Sequence, residues 1–260
     1  MKYIIATDYD STLYQYHKGG ISKEVVDAIN EFRAKGNLFG VVTGRCFQWA
    51  YPSFKKDGLF PFDFILSNSG SCAVDSEGNE LFCDYIRKEN CNAKKLMTML
   101  ASLCDIECGI EIDKKWTPFC ASCRNPKEEA DYFCNLSVVD GVGDFVSAGV
   151  VFSDSEKCSE ALKVIKKEFG DVLTFSQNSR NVDISAKGVN KATGIKKYAD
   201  LMGVDSDHIY TAGDNYNDIP MIEAFHGCAV ENAVDELKNK AEYICEDLAE
   251  LIRIILSKEN

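Results

Sequence analysis

Two aspartates, Asp8 and Asp10, stand two residues apart where the apolar run Tyr3-Ile4-Ile5-Ala6 gives way to Ser11-Thr12. A short apolar run bounded by polar turn residues reads as a buried strand. In open α/β sheets, ligands bind beyond the carboxyl ends of strands, which places this pair at a mouth. A carboxylate there can attack phosphorus if a cation and hydrogen-bond donors screen the incoming charge. A second carboxylate beside it can carry a proton to or from the leaving oxygen. Taken alone, such a pair is more commonly a strand end with an Asx turn, so the reading depends on what else the chain supplies.

Three other strand ends supply polar groups of complementary kinds. The run Leu38 to Val42 stops at Thr43-Gly44-Arg45, where a hydroxyl and a flexible glycine amide can hold phosphate oxygens. The competing reading is an ordinary Thr-Gly strand exit. Lys191 falls in the first turn of a predicted helix, an unfavourable place for a cation unless an anion is near. The bland alternative is a solvated surface lysine. The strand ending at Ala212 leads into Gly213-Asp214-Asn215-Tyr216-Asn217-Asp218. Asp214 and Asp218, in a Gly/Asn-rich loop, are candidate ligands of a hard cation, against a polar turn before a helix.

The elements that must position these residues follow a βαβ rhythm. Ser22 is a good N-cap, Val25, Val26, Ile29 and Phe32 recur at helical spacing, and Gly36 is placed to end the helix. Strand, helix and strand with short joints predict a parallel sheet. A hairpin is expected over Ala73–Leu81, with its turn near Glu77-Gly78-Asn79. From about Asp84 the texture changes to helices at Lys94–Leu103 and Ser155–Phe169 and strands at Ile110–Ile112, Val146–Phe152 and Val172–Phe175. The rhythm returns after about Arg180, with Val182-Asp183-Ile184 as a short strand. The expected fold class is α/β: a Rossmann-like, mostly parallel sheet with helices on both faces, plus an inserted α+β domain. Boundaries are drawn at 1–83 and 179–260 for the core and 84–178 for the cap.

Composition narrows the partners. The 260 residues are 45% hydrophobic and 27% charged, as in an ordinary soluble globular protein. No apolar run is long enough to span a bilayer, and the N-terminus lacks the pattern of a secretory signal, so the chain reads as cytoplasmic. The net charge of −12 disfavours nucleic acid and anionic membranes as partners. A small anionic ligand then needs its own local positive charge. Of the twelve cysteines, Cys104, Cys108, Cys120 and Cys123 have a spacing that admits a structural zinc site. They lack the tight two-knuckle spacing of zinc ribbons, and the preferred reading is reduced, mostly buried thiols. The three histidines are scattered and are assigned no chemistry.

Taken in order, Asp8-Tyr9-Asp10-Ser11-Thr12, Val41-Val42-Thr43-Gly44-Arg45, Lys191 and Gly213-Asp214-Asn215-Tyr216-Asn217-Asp218 resemble the four motifs of the haloacid dehalogenase-like superfamily. Val189-Asn190-Lys191 and Ala229 to Lys238 are similar to its Cof-type branch, as is the position of the insertion, which matches that branch's large α/β cap. The resemblance implies a Mg²⁺-dependent phosphatase acting on a small phosphorylated metabolite, with a sugar phosphate as one candidate. By the same resemblance Asp8 is the nucleophile and Asp10 the proton carrier. Mg²⁺ is held by the Asp8 carboxylate, the Asp10 backbone carbonyl and Asp214, with Asp218 supporting that shell. Thr43, Gly44, Lys191 and Asn217 hold the phosphate, and Arg45 either reaches substrate or forms a salt bridge. Two positions depart from the family pattern: Ser11 stands where glycine is usual, and Tyr9 where a large aliphatic residue or Phe is usual. A phosphosugar mutase and a non-catalytic binder of phosphorylated metabolites are the alternatives. The proton carrier Asp10 weighs against the binder and against a dehalogenase.

Overall fold

The computed structural model describes residues 2–57, 60–121 and 133–258. Contacts divide it into two compact units: Met1–Arg45, Trp49–Phe82 and Lys191–Asn260 form the first, Cys46–Gln48 and Cys83–Asn190 the second.

The first unit begins with β1 (Ile4–Thr7), α1 (Lys23–Ala34) and β2 (Leu38–Val42). The Ser22 side chain accepts the Val25 N–H, and Val25, Ile29 and Phe32 are buried, as the spacing predicts. Then come α2 (Phe47–Asp57), β3 (Phe64–Ser67), β4 (Cys72–Asp75) and β5 (Glu80–Cys83), the last two forming the expected hairpin. Helix α2 carries Pro52 in its interior, which conceals it from a reading by propensity.

The second unit holds α3 (Ala93–Leu103), β6 (Glu107–Ile112), β7 (Lys115–Ala121), β8 (Phe133–Cys134), β9 (Ser147–Val151), α4 (Ser155–Phe169), β10 (Leu173–Asn178) and β11 (Asn181–Ala186). Its sheet runs β10-β11-β9-β6-β7-β8, and each pairing is antiparallel. Here the boundary differs from the one drawn at 178/179. The strand containing Val182 and Ile184 does not begin the return to the core: it lies between β10 and β9, and the first unit resumes at Lys191. Val182 and Ile184 face an apolar core shared with Ile110, Val150, Ile165 and Phe169, which is why the strand stays with that unit.

The first unit resumes with α5 (Lys191–Met202), β12 (Ile209–Gly213), α6 (Ile219–Ala224), β13 (His226–Val230), α7 (Asp235–Lys238), β14 (Tyr243–Cys245) and α8 (Leu248–Lys258). Its sheet runs β14-β13-β12-β1-β2-β3-β4-β5. The pairings from β14 through β3 are parallel and β3–β4 is antiparallel. The central strands are buried end to end, so they read as unbroken apolar runs. Parallel pairing brings the carboxyl ends of β1, β2 and β12 to one edge, with the residues singled out above just beyond them.

The cysteines split. Cys104, Cys108 and Cys120 are buried in the second unit's apolar core with Cys91 and Cys158. Cys123 lies outside the described residues. Cys72, which opens β4, and Cys83, which closes β5, are disulfide-bonded, a departure from the expectation of reduced thiols. No helix among the described residues is long and apolar enough to cross a membrane.

Candidate active site

Asp8 directly follows β1, and its N–H donates to the Ala212 carbonyl at 2.9 Å, so the ladder with β12 extends into the site. Its carboxylate is buried, and Oδ1 accepts from Lys191 Nζ at 2.5 Å. The same ammonium donates to Asp218 Oδ1 at 2.6 Å. Lys191 opens α5 with its side chain 1% exposed, and the two carboxylates offset the unfavourable helix dipole at that end. Asp218 Oδ2 also accepts the N–H groups of Asp214 and Asn215 at 3.0 and 3.1 Å, folding the loop after β12 back on itself. This fold requires glycine at 213, where a Cβ would stand 2.5 Å from Asp218 Cβ. Asp214 is fixed from the other side by Thr12, whose hydroxyl donates to its Oδ1 at 3.0 Å. Carboxylate oxygens of Asp8, Asp214 and Asp218 lie within 4.8 Å of one another.

Such crowding shifts the acids. Burial pushes the Asp8 carboxyl above the usual range, Lys191 opposes the shift, and Asp218 and Asp214 add to it. Asp214 is pushed up to about 6, chiefly by burial and then by Asp218. Burial works against the charge on Lys191, yet Asp218 and Asp8 outweigh it and hold the ammonium above the usual lysine range.

Asp10 is directed elsewhere. Its Oδ1 accepts from Arg45 Nη2 at 2.5 Å and from the Tyr16 hydroxyl at 2.6 Å, and its Oδ2 from Arg45 Nε at 2.9 Å. The Arg45 guanidinium lies over the Tyr9 ring, 4.9 Å from its centroid, and Tyr9 packs on Phe54 at 4.3 Å. Of the two roles open to Arg45, the structure displays the salt bridge, and the unusual Tyr9 supplies the surface on which it rests. The side chain of Asp10 thus stays outside the carboxylate cluster. Ser11 adopts φ +64°, the left-handed conformation that glycine reaches without steric penalty, so the backbone here suits the glycine that the resemblance leads one to expect.

Thr43 is buried after β2. Its Oγ1 accepts the Arg45 N–H at 3.1 Å, which leaves the hydroxyl proton available to a ligand, and Gly44 lies in the bend between them. The turn Asn68–Gly70 after β3 supports this bend. The Ser69 N–H donates to Thr43 O at 2.8 Å and the Asn68 N–H to Arg45 O at 3.0 Å. Asn68, Ser69 and Gly70 all have positive φ, and a Cβ at Gly194 on α5 would meet Gly70 O at 2.5 Å. Asn217 Oδ1 is buried without a hydrogen-bond partner among the described residues.

Asp8, Lys191, Asp214 and Asp218 therefore form one cluster, and Asp10, Arg45 and Tyr16 a second. Thr12 and Tyr16 were not singled out from sequence. Across both clusters, four carboxylates face two cationic side chains. The excess negative charge and the all-oxygen donor set suit a hard divalent cation such as Mg²⁺.

The sequence profile of a family described as haloacid dehalogenase-like hydrolase matches residues 5–250. The 5-amino-6-(5-phospho-D-ribitylamino)uracil phosphatase YwtE of Bacillus subtilis (strain 168) is 34% identical over 92% of this chain and 91% of its own. YcsE, a phosphatase of the same name from that organism, is 27% identical over 94% of this chain and 89% of its own. Among solved structures, a haloacid dehalogenase-like hydrolase from B. subtilis superposes with a TM-score of 0.79 at 20% identity, covering 96% of this chain and 98% of that one.

Proposed function

The chain belongs to the haloacid dehalogenase-like hydrolases, and from that premise we propose that it is a Mg²⁺-dependent phosphatase of a small phosphomonoester, working through an aspartyl phosphate on Asp8. The observation that carries this reading is the buried Asp8–Lys191–Asp218 cluster with Asp214 beside it and Asp10 held separately. A nucleophile needs its charge screened without being consumed, and a proton carrier must stand clear of the metal's carboxylates. The relatives named above act, by their names, on a phosphorylated ribitylaminouracil. That compound is the first substrate to test here.

Asp8 and Asp214 would hold the cation, with the Asp10 backbone carbonyl, and Asp218 would keep Asp214 in place through the loop amides. When bound, Mg²⁺ supplies charge neutralisation of the phosphoryl oxygens. Thr43, Lys191 and the Asn217 amide bind and orient the phosphoryl group. An Asp8 carboxylate oxygen attacks phosphorus as the bond to the leaving oxygen breaks, and Asp10 delivers its proton to that oxygen. Asp10, now a carboxylate, takes a proton from water. The resulting hydroxide attacks phosphorus, the bond to Asp8 breaks, and phosphate departs with Asp8 and Asp10 restored.

The test is hydrolysis of para-nitrophenyl phosphate and of the ribitylaminouracil phosphate, with Mg²⁺ and with EDTA, beside Asp8→Asn. The expected result is metal-dependent phosphate release that vanishes in the variant. Release undiminished in Asp8→Asn would remove Asp8 as nucleophile. Product identification separates free phosphate from the phosphate transfer of a mutase.

A further inference from the structure

The Asp10 carboxylate has more partners than a proton carrier requires. A carboxylate offers about four lone-pair sites, two on each oxygen. At Oδ1 both are taken, by Arg45 Nη2 at 2.5 Å and by the Tyr16 hydroxyl at 2.6 Å. At Oδ2 only Arg45 Nε donates, at 2.9 Å. We infer that Tyr16 is a positioning residue for Asp10: with Arg45 it saturates Oδ1, fixes the carboxyl plane, and leaves Oδ2 as the oxygen that gives and takes the proton. This rests on the reading of Asp10 as proton carrier given above.

Tyr16 is placed for this by an anchored loop. The residue is 58% exposed, yet its ring centroid lies 5.0 Å from that of Tyr14. Tyr14 N–H donates to Tyr9 O at 2.8 Å, and Ser11 N–H to Tyr14 O at 3.0 Å. Gln15 and Gly20 exchange backbone hydrogen bonds at 3.2 and 3.1 Å, closing the turn that carries Tyr16. The Gln15 side chain then donates to Glu246 O at 3.0 Å, and Lys18 Nζ to Glu246 Oε1 at 2.8 Å. A hydroxyl mounted on a backbone tied at both ends loses little freedom on binding a carboxylate. Once Asp10 has given up its proton, the Tyr16 hydroxyl donates to a charged acceptor, a bond about twice as strong as a neutral one. The ring rests on Tyr14, and among the described residues the hydrogen bond of its hydroxyl goes to the proton carrier.

The chemistry sets the test. In the first step, the Asp8 oxygen–phosphorus bond forms, the phosphorus–leaving oxygen bond breaks, and the proton on Asp10 Oδ2 moves to the leaving oxygen. A para-nitrophenolate departs without that proton, whereas a small alkoxide does not. We would measure kcat/KM, which reports on this step, for para-nitrophenyl phosphate and for glycerol phosphate. The proteins compared are wild type, Tyr16→Phe, Asp10→Asn and Asp8→Asn, each saturated with Mg²⁺. General acid catalysis contributes about 10²–10⁴-fold, and loss of orientation forfeits part of it. The expected result for Tyr16→Phe is a fall of about tenfold with glycerol phosphate and less than about twofold with para-nitrophenyl phosphate, with an unchanged melting temperature. A purely structural role would lower both substrates alike, and that result, or no fall with either, would overturn the inference. If Asp10→Asn shows the leaving-group selectivity and Tyr16→Phe does not, Tyr16 falls while the phosphatase reading stands. Full turnover by Asp8→Asn would remove the reading on which the inference rests.

Discussion

Replacing Lys191 by Met tests the electrostatics of the site most directly. The side chain is 1% exposed, and its ammonium sits between Asp8 Oδ1 at 2.5 Å and Asp218 Oδ1 at 2.6 Å, themselves 10% and 0% exposed. Met conserves the volume and removes the charge. Breaking a buried pair by deleting one partner costs about 3–5 kcal/mol, because the remaining charge is left uncompensated. Asp218 keeps the N–H groups of Asp214 and Asn215, so Asp8 bears most of the loss. Its simplest relaxation is to bind a proton, and it already sits above the ordinary carboxyl value of 3.8 through burial. Removal of Lys191 raises it further. A carboxyl with a folded pKa above its unfolded value binds more protons folded than unfolded, so stability falls as pH rises through that window. The Lys191 pKa is itself raised, so the wild-type ammonium contributes fully at any pH below the unfolded lysine value. Urea unfolding in EDTA should therefore show the variant destabilised by about 3–5 kcal/mol at pH 8.5 and by about 1–2 kcal/mol at pH 5. A difference equal at the two pH values, or below about 1 kcal/mol at pH 8.5, would refute the view that this lysine neutralises carboxylate charge left uncompensated without it.

Further outcomes follow from the same geometry. Ser11→Gly should raise stability by about 1 kcal/mol in urea unfolding, reversing the usual cost of glycine, because φ +64° is strained for serine. Gly194→Ala should lower stability by about 1–3 kcal/mol although alanine favours helices, because its Cβ would meet the Gly70 backbone at 2.5 Å; calorimetry checks the sign. Mg²⁺ affinity by titration calorimetry should strengthen as pH rises and keep strengthening above about pH 6, since the cation must displace the Asp214 proton held at about 6 and the Asp8 proton held higher still; an affinity independent of pH between about 5 and 8 would refute this.

Much of this was legible in the sequence because the parallel strands are buried on both faces. Ile4–Thr7, Leu38–Val42 and Ile209–Gly213 stand out as apolar runs, and the polar residues that end them mark the site edge. Asp8, Lys191, Asp214 and Asp218 could be placed at one site by strand-end position and the family resemblance, though the carboxylates that Lys191 meets could not be named. The Asp10–Tyr16 bond could not, since nothing in the spacing says which way a loop tyrosine turns. Nor could the support beneath Thr43, which depends on positive φ at Asn68 and Ser69, a conformation that neither residue type requires. The strand Asn181–Ala186 was legible as a strand and misplaced as to sheet, because its alternation suits an antiparallel partner and says nothing of which one.

The arrangement explains why so much structure surrounds so few reacting atoms. Three carboxylates with oxygens within 4.8 Å of one another, in a largely buried place, oppose folding. One buried ammonium and the amides of the Asp214–Asp218 loop offset only part of that cost. Filling the place with apolar residues would favour stability and abolish any demand for a cation. On the function proposed above, the retained imbalance would give the site its affinity for a divalent ion and, through it, for a phosphoryl group. Asp10 escapes the imbalance by turning to Arg45 and Tyr16. Two aspartates only two residues apart thus meet different partners, because β1 ends between an ammonium on α5 and a guanidinium beyond β2, and on the proposed function that separation would let one serve as nucleophile and the other as proton carrier.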